Sequence, residues 1–250
     1  DNQEKSQKKI FNKHYQNFSN KEYKLENWRF SMINRIFNNT FTKSLKTYLD
    51  IGCGATGYTV IEAAKKGIPI TFGCDISLKA MIKAKNLAKL QGVSQNTAFI
   101  VSSAQSLPFK NNFFDYISLV SVLEHLEDDS STIKSIFNIL TKKGHFFICV
   151  PNTYLKIFPL IWPFYYISDT QMGHKRHYSL NRLNSLLFNN KFILKKYLYN
   201  GHLIKFLQLL LDKLKINNNK FWWYLEKKDI NKNSTGVQLN TIYQKNNKDI

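Results

Sequence analysis

A mainly parallel, doubly covered α/β sheet is the fold class that this sequence predicts, and three observations predict it. From Thr47 onward, short apolar runs alternate in regular order with amphipathic stretches. The runs are rich in Ile, Val, Phe and Tyr and lack polar alternation, as strands buried on both faces do. The chain has 250 residues, 43% of them apolar and 21% charged, enough to bury one sizeable core. Strand and helix in strict alternation imply right-handed crossovers and helices on both faces.

Residues 1–46 are polar and read as an N-terminal helical cap segment. Within them, residues 23–41 carry Trp28, Phe30, Met32, Ile33, Ile36 and Phe37 at helical spacing. TYLDI, PITFGCD, TAFIVS, FDYISLV and HFFICV follow as strands. VIEAAKK, LKAMIKAKNLAKLQG and SSTIKSIFNILTKKG lie between them as helices, the last two starting after Ser or Asp caps and ending at glycine. After Val150 the rhythm breaks. Residues 151–178 are too long and too aromatic for a simple connection and read as a lid. A helix is predicted from Ser179 to Phe188, then a strand at FILKKYLY. Residues 202–228 form a helical insert that leads into Trp222, Trp223 and Tyr224, and GVQLNTIYQK alternates as a final strand.

The net charge is +19, yet only Arg29, Arg35, Arg176 and Arg182 are arginines. Arginine dominates specific phosphate readout, whereas evenly spread lysines describe a solvated surface, so the charge reads against a nucleic-acid partner. Cys53, Cys74 and Cys149 cannot all pair and have no metal-ligand spacing; they read as core residues of a reducing, cytoplasmic compartment. The longest apolar run, from Leu155, is broken by Pro159 and Pro163 and is too short to span a membrane. The first thirty residues show no apolar region of a secretory signal. Asp128 and Asp129 lack a third ligand beside them, so no metal site is expected.

The chemistry concentrates after the first strand. Asp50-Ile-Gly-Cys-Gly-Ala-Thr-Gly57 leaves a buried strand and enters a helix, where backbone must turn sharply and approach a ligand closely. Asp75 closes the second strand, 18 residues after Gly57. A carboxylate there can accept both hydroxyls of a ribose. Gly52, Gly54 and Gly57 alone spell a dinucleotide fingerprint, so a nicotinamide-dependent (NAD(P)) oxidoreductase is one reading of this loop.

YLDIGCGATG, CDIS, SSAQSLPFKNNFFDYI, VLEHLED, LTKKGHFFICVPN and GHKRHYS, in this order and spacing, resemble a class I S-adenosylmethionine-dependent methyltransferase of the ubiquinone-biosynthesis-like branch. The likeness covers about residues 47–200 and more loosely the final strand, so residues 47–250 are expected to form a methyltransferase domain. A dinucleotide oxidoreductase has no reason to carry SLPF, FDYI and EHL. The resemblance implies a Rossmann-like seven-stranded sheet of order 3-2-1-4-5-7-6 with strand seven antiparallel. It implies that Asp50 and the loop of Gly52, Cys53, Gly54 and Gly57 hold the methionine half of S-adenosylmethionine. Asp75 would bind ribose, Ile76 would pack on adenine, Ser103, Ala104 and Gln105 would edge the adenine, and Val120 with Ser121 would line the cofactor. Two departures stand out: the family's third glycine falls one residue earlier, at Thr56, and an acid usually stands where this chain has Ser103.

Methyl transfer from a sulfonium asks the protein mainly for alignment and desolvation. An oxygen acceptor must still lose a proton, and His125 is the natural base because imidazole titrates near neutrality. Its alternative is a histidine that packs the following helix; Glu124 beside it reads as a surface or hydrogen-bonding group. His174, Arg176 and Tyr178 could clamp the polar end of an acceptor, or Arg176 could pair with a loop carboxylate while Ser179 caps a helix. The expected acceptor is a small or medium molecule with an apolar body and a polar or anionic group. Its pocket would be formed by Phe158, Trp162, Phe164, Tyr165 and Tyr166 facing Trp222 or Trp223. A non-catalytic binding protein on the same scaffold, using its basic surface on RNA, is the reading from another class.

Overall fold

The structure is a computed structural model that describes residues 27–37, 43–153, 173–201, 219–230 and 235–246, with positions 8, 9, 12 and 166. Its elements run α1 (Asn27–Phe37), β1 (Thr47–Ile51), α2 (Tyr58–Lys65), β2 (Ile70–Asp75), α3 (Leu78–Leu90), β3 (Thr97–Val101) and β4 (Phe114–Val120). A 3₁₀ turn (Leu123–His125) then leads to α4 (Asp129–Ile139), β5 (Leu140–Pro151), α5 (Leu180–Asn189), β6 (Phe192–Asn200), α6 (Asn219–Asp229) and β7 (Gln238–Lys245). The strands form one sheet of order β3-β2-β1-β4-β5-β7-β6. β1 to β5 are parallel where they pair, and β7 runs antiparallel to both β5 and β6. This is the topology that the resemblance implies.

Strand alternation divides the core into two layers. Leu49, Ile51, Ile117, Leu119, Phe146 and Ile148 face the layer that holds Ile133 and Ile136 of α4 and Leu183 and Leu187 of α5. Their neighbours Tyr48, Tyr116, Phe147 and Cys149 face the other way, against Met32, Ile33, Ile36 and Phe37 of α1. The Met32, Ile33, Ile36 and Phe37 part of the amphipathic stripe read from the N-terminal segment is therefore what covers this face. The rest of the expected stretch, at 23–26 and 38–41, lies outside the described residues. So do residues 154–165 and 167–172 of the expected lid and residues 202–218 of the expected insert. Trp222, Trp223 and Tyr224 lie in α6, which falls almost wholly within the expected insert 202–228.

Side-chain caps set the helix starts. Ser77 accepts from the Ala80 amide at 3.2 Å, Asp128 from Ser131 at 2.9 Å and Ser179 from Arg182 at 3.2 Å. One expected boundary differs. The helix read through LTKKG stops at Ile139, and Leu140 already pairs with Phe114 in the sheet. The next register pair is Tyr116 with His145, so residues 141–144 bulge out of the ladder. Gly144 permits this, since a Cβ there would lie 2.8 Å from Leu140 and 3.1 Å from the Phe114 carbonyl. The Leu140 carbonyl is taken by Lys245 Nζ at 2.8 Å, a buried lysine at the end of β7. Cys53, Cys74 and Cys149 are all buried free thiols, as expected. No helix among the described residues is long and apolar enough to cross a membrane.

Ser179 caps one orphan amide of α5, that of Arg182, with its side chain. Ser179→Ala is expected to lower unfolding free energy by about 1 kcal/mol. Urea titration should show this as an earlier midpoint with an unchanged slope.

Candidate active site

The loop between β1 and α2 is held from below. The amides of Gly52 and Cys53 both donate to the Cys74 carbonyl, at 2.8 and 3.0 Å, so the chain folds back over the end of β2. Gly52, Gly54 and Gly57 take φ of +73°, +64° and +49°. A Cβ on Gly52 would meet Val122 at 2.3 Å, and one on Gly57 would meet the Phe99 ring at 2.6 Å. The late third glycine thus has a local reason: β3 pushes an aromatic ring under the point where α2 begins. Asp75 completes the cradle. One oxygen accepts from the Gly54 amide at 3.1 Å and the other from Ser77 at 2.9 Å. Burial holds this carboxyl above the usual range, and the amide bonds oppose the shift. Each oxygen keeps a second lone pair for a ligand hydroxyl.

Asp50 is 2% exposed and lies beside its register partner Ser118 on β4. The Ser118 hydroxyl donates to it at 2.5 Å, the Thr59 hydroxyl of α2 also donates, and Tyr48 meets Ser118 at 2.5 Å. Burial pushes the Asp50 carboxyl up to about 7, with the two hydroxyl bonds opposing. The structure therefore sets Asp50 as a knot between β1, β4 and α2 beneath the loop.

Along the same edge, Ile76 is partly buried just past β2. After β3, Ser103, Ala104 and Gln105 form a turn in which the Ser103 hydroxyl accepts from the Gln105 amide at 3.3 Å. Val120 ends β4, and Ser121 follows with φ +53° while its amide donates to the Cys149 carbonyl at 2.9 Å. A non-glycine residue in the left-handed region at such an edge is a strained position.

Beyond Val122 the chain makes its 3₁₀ turn, and here the two polar clusters of the sequence meet. The His125 and His174 rings lie 4.8 Å apart, edge to face. His174 Nε2 stands 3.9 Å from Glu124 Oε1. Glu124 is 0% exposed and His125 7%, so Glu124 is an interior carboxylate, which excludes the surface half of its sequence reading. Glu124, His125 and His174 each offer one ligand atom within 4.8 Å of the others. Asp128 and Asp129 do other work: Asp128 caps α4, and Asp129 bonds Arg176 at 2.8 Å and the Tyr178 hydroxyl at 2.9 Å.

Those bonds belong to a strap. The Lys175 amide donates to the Glu124 carbonyl at 2.9 Å, Lys175 Nζ pairs with Glu127, and Arg176 donates to the Glu127 carbonyl at 3.0 Å. Tyr178 is fully buried, and its amide donates to Pro151. Arg176 and Tyr178 are thus engaged with the start of α4, the pairing given as the alternative from sequence. They hold His174 against His125.

A family described as "Methyltransferase domain" matches residues 42–197, well over half of the chain. The chain belongs to the class I S-adenosylmethionine-dependent methyltransferases. It is 33% identical over 98 residues to norajmaline N-methyltransferase of Rauvolfia serpentina, covering 39% of this chain and 33% of that one. It is 28% identical over 147 residues to the ubiquinone/menaquinone biosynthesis C-methyltransferase UbiE of Rickettsia felis, covering 53% and 58%. The chain therefore spans less than two thirds of the length of these curated relatives. Among solved structures, a geranyl diphosphate methyltransferase in complex with GPP and sinefungin has a TM-score of 0.69 at 8% identity, over 98% of this chain and 99% of that one. This last likeness is one of fold.

In this chain the loop, Asp75 and the ends of β3 and β4 lie along one edge of the sheet. Sequence reasoning missed Thr59, Ser118 and Tyr48 under Asp50, and the burial of Glu124. The equal register of Asp50 and Ser118 on adjacent strands was the available signal for the first group.

The Asp50 knot carries a pH signature. A carboxyl whose folded pKa lies above its unfolded value stabilises the fold at low pH and loses that contribution as pH rises through the folded value. Raised from 3.8 to about 7, it should cost on the order of 4 kcal/mol on full ionisation. Asp50→Asn is expected to remove the decline in stability between about pH 4 and 7. Denaturant unfolding at a series of pH values would show two parallel profiles if Asp50 does not titrate there.

Proposed function

We propose that the chain transfers a methyl group from S-adenosylmethionine to a small-molecule acceptor, with an oxygen atom favoured over nitrogen or carbon. The observation that carries this reading is the meeting of Glu124, His125 and His174 beside Val122, whose side chain abuts Gly52 of the loop. The residues present fit the cofactor. Gly52, Gly54 and Gly57 turn the loop with left-handed backbone and add no side chains of their own, and Asp75 retains acceptor capacity toward a ribose. S-adenosylmethionine, when bound, supplies a methyl group on an already activated sulfonium.

The work left to this chain is to align an acceptor, keep water away and take a proton. Asp75 and the glycine loop hold the ribose and methionine portions, while Ile76, Ser103, Ala104 and Gln105 border the adenine. His125, 7% exposed, receives the acceptor's proton on an imidazole nitrogen, with the His174 ring packed against it. Arg176 and Tyr178 fasten the strap that keeps His174 in place. Relatives are named for methyl transfer to nitrogen, to carbon and to oxygen, so the preference for oxygen rests on the histidine cluster. The aromatic residues of 154–178 support an acceptor with an apolar body and a polar or anionic group.

Calorimetry should find that Asp75→Ala weakens S-adenosylmethionine binding by roughly 1.5–3 kcal/mol, the range for bonds to a charged acceptor. Unchanged affinity, or binding of NADH in its place, would defeat the cofactor assignment. His125→Ala is expected to lower turnover about 10²–10⁴-fold with cofactor affinity near normal. A loss below tenfold in a folded variant would assign His125 to packing.

A further inference from the structure

We infer that Glu124, His125 and His174 form a binding site for a divalent transition-metal cation of the zinc type, which presents an oxygen of the acceptor to the cofactor loop. This rests on the methyl transfer proposed above and reassigns His125 there from base to ligand. The three groups come from two segments, the turn after β4 and the strap 49 residues further on. The strap is fixed by the Lys175 amide on the Glu124 carbonyl and by Arg176 on Asp129, so the convergence is built by main-chain and ionic bonds outside the cluster.

The donor set is chemically specific. Two imidazoles and one carboxylate form the protein half of many open zinc sites, which keep a further position for water or substrate. Oxygen-rich cages for calcium or magnesium look different, because those ions prefer carboxylate, carbonyl and water. Spacing agrees with the chemistry. Ligand bonds of about 2.0–2.2 Å place two donors of one cation about 3–4 Å apart. His174 Nε2 and Glu124 Oε1 lie 3.9 Å apart, too far for a hydrogen bond and within reach of a shared ion. All three donor atoms lie within 4.8 Å of one another, so small side-chain rotations close the set.

The place of the site gives it a use. Val122, two residues before Glu124, touches Gly52 of the loop, so a cation here stands next to the methyl donor's cradle. An acceptor hydroxyl that ligates it forms an oxygen–metal bond and releases its proton to water, because a bound divalent cation lowers the pKa of oxygen ligands. His125 is then a ligand, and the cation does what a lone imidazole would otherwise do. The acceptor class narrows to molecules that offer a ligating oxygen, best as two adjacent oxygens.

The test uses the full chain, stripped with a chelator, dialysed against zinc chloride and analysed for bound metal by plasma mass spectrometry. About one zinc per chain is expected, falling below about a tenth in Glu124→Gln and in His174→Ala, as loss of a ligand requires. His177→Ala, a histidine outside the set, should keep its zinc. S-adenosylmethionine affinity, measured by calorimetry on every variant, serves as the check of folding, and His174→Gln is a milder second variant. A wild-type chain that binds S-adenosylmethionine but takes up no stoichiometric zinc would overturn the inference, as would equal uptake by the variants. Zinc is read directly, so a chain that holds zinc but ignores S-adenosylmethionine would defeat the methyltransferase reading and leave the cation site standing.

Discussion

The carboxyl edge of this sheet hangs from one buried acid. Asp50 receives hydroxyls from Ser118 on β4 and Thr59 on α2, and with them it fixes how β1, β4 and α2 meet. A carboxyl with almost no water must have its lone pairs filled, so those hydroxyls are a condition of burying it. Once it is fixed, the rest follows by contact. The loop leaves β1 at a set angle, Gly52 comes against Val122, and the turn after β4 starts from that contact. Two layers of apolar side chains give the sheet its stability, but they would tolerate small sliding of one strand on another. The hydroxyl bonds do not, because they are directional and short.

Much of this was legible in the sequence, for physical reasons that can be named. TYLDI, FDYISLV and their neighbours announce themselves because a strand covered on both faces has no polar side to show. Ser77, Asp128 and Ser179 mark helix starts because the orphan amides of a first turn need an oxygen nearby. Asp75 stands out by type and distance from the glycines. The end of α4 was not legible: Leu140 sits where helical periodicity wants an apolar residue, and only its pairing with Phe114 in the sheet decides for a strand. Local pattern and tertiary pairing compete there, and pairing wins.

The site was legible in pieces. His125 and His174 each drew notice by residue type, yet nothing in a linear pattern tells that their rings will touch. That contact depends on Arg176 finding Asp129 and on Lys175 finding the Glu124 carbonyl, long-range bonds with no periodic signature. Glu124 misled for a simple reason. It sits in LEHLED, a string whose charges look solvated, and its burial comes from the strap laid over it.

The glycines of the edge fall under two different evolutionary constraints. Gly73 lies within β2 and has no left-handed backbone; it is small because a Cβ there would meet Cys53, Phe99 and Val60 at 2.7 to 3.0 Å. An alanine at that position becomes tolerable only when Cys53, Phe99 and Val60 give way together, so the four positions should drift together along a lineage. Gly52 has both a crowded approach to Val122 and a φ of +73°, and trimming Val122 relieves only the first. Its history should be one of near-fixity, with a neighbour that varies around it. Two glycines, one within β2 and one just past the adjacent β1, thus leave unlike records in related chains: a correlated pattern for Gly73, and a silent column for Gly52.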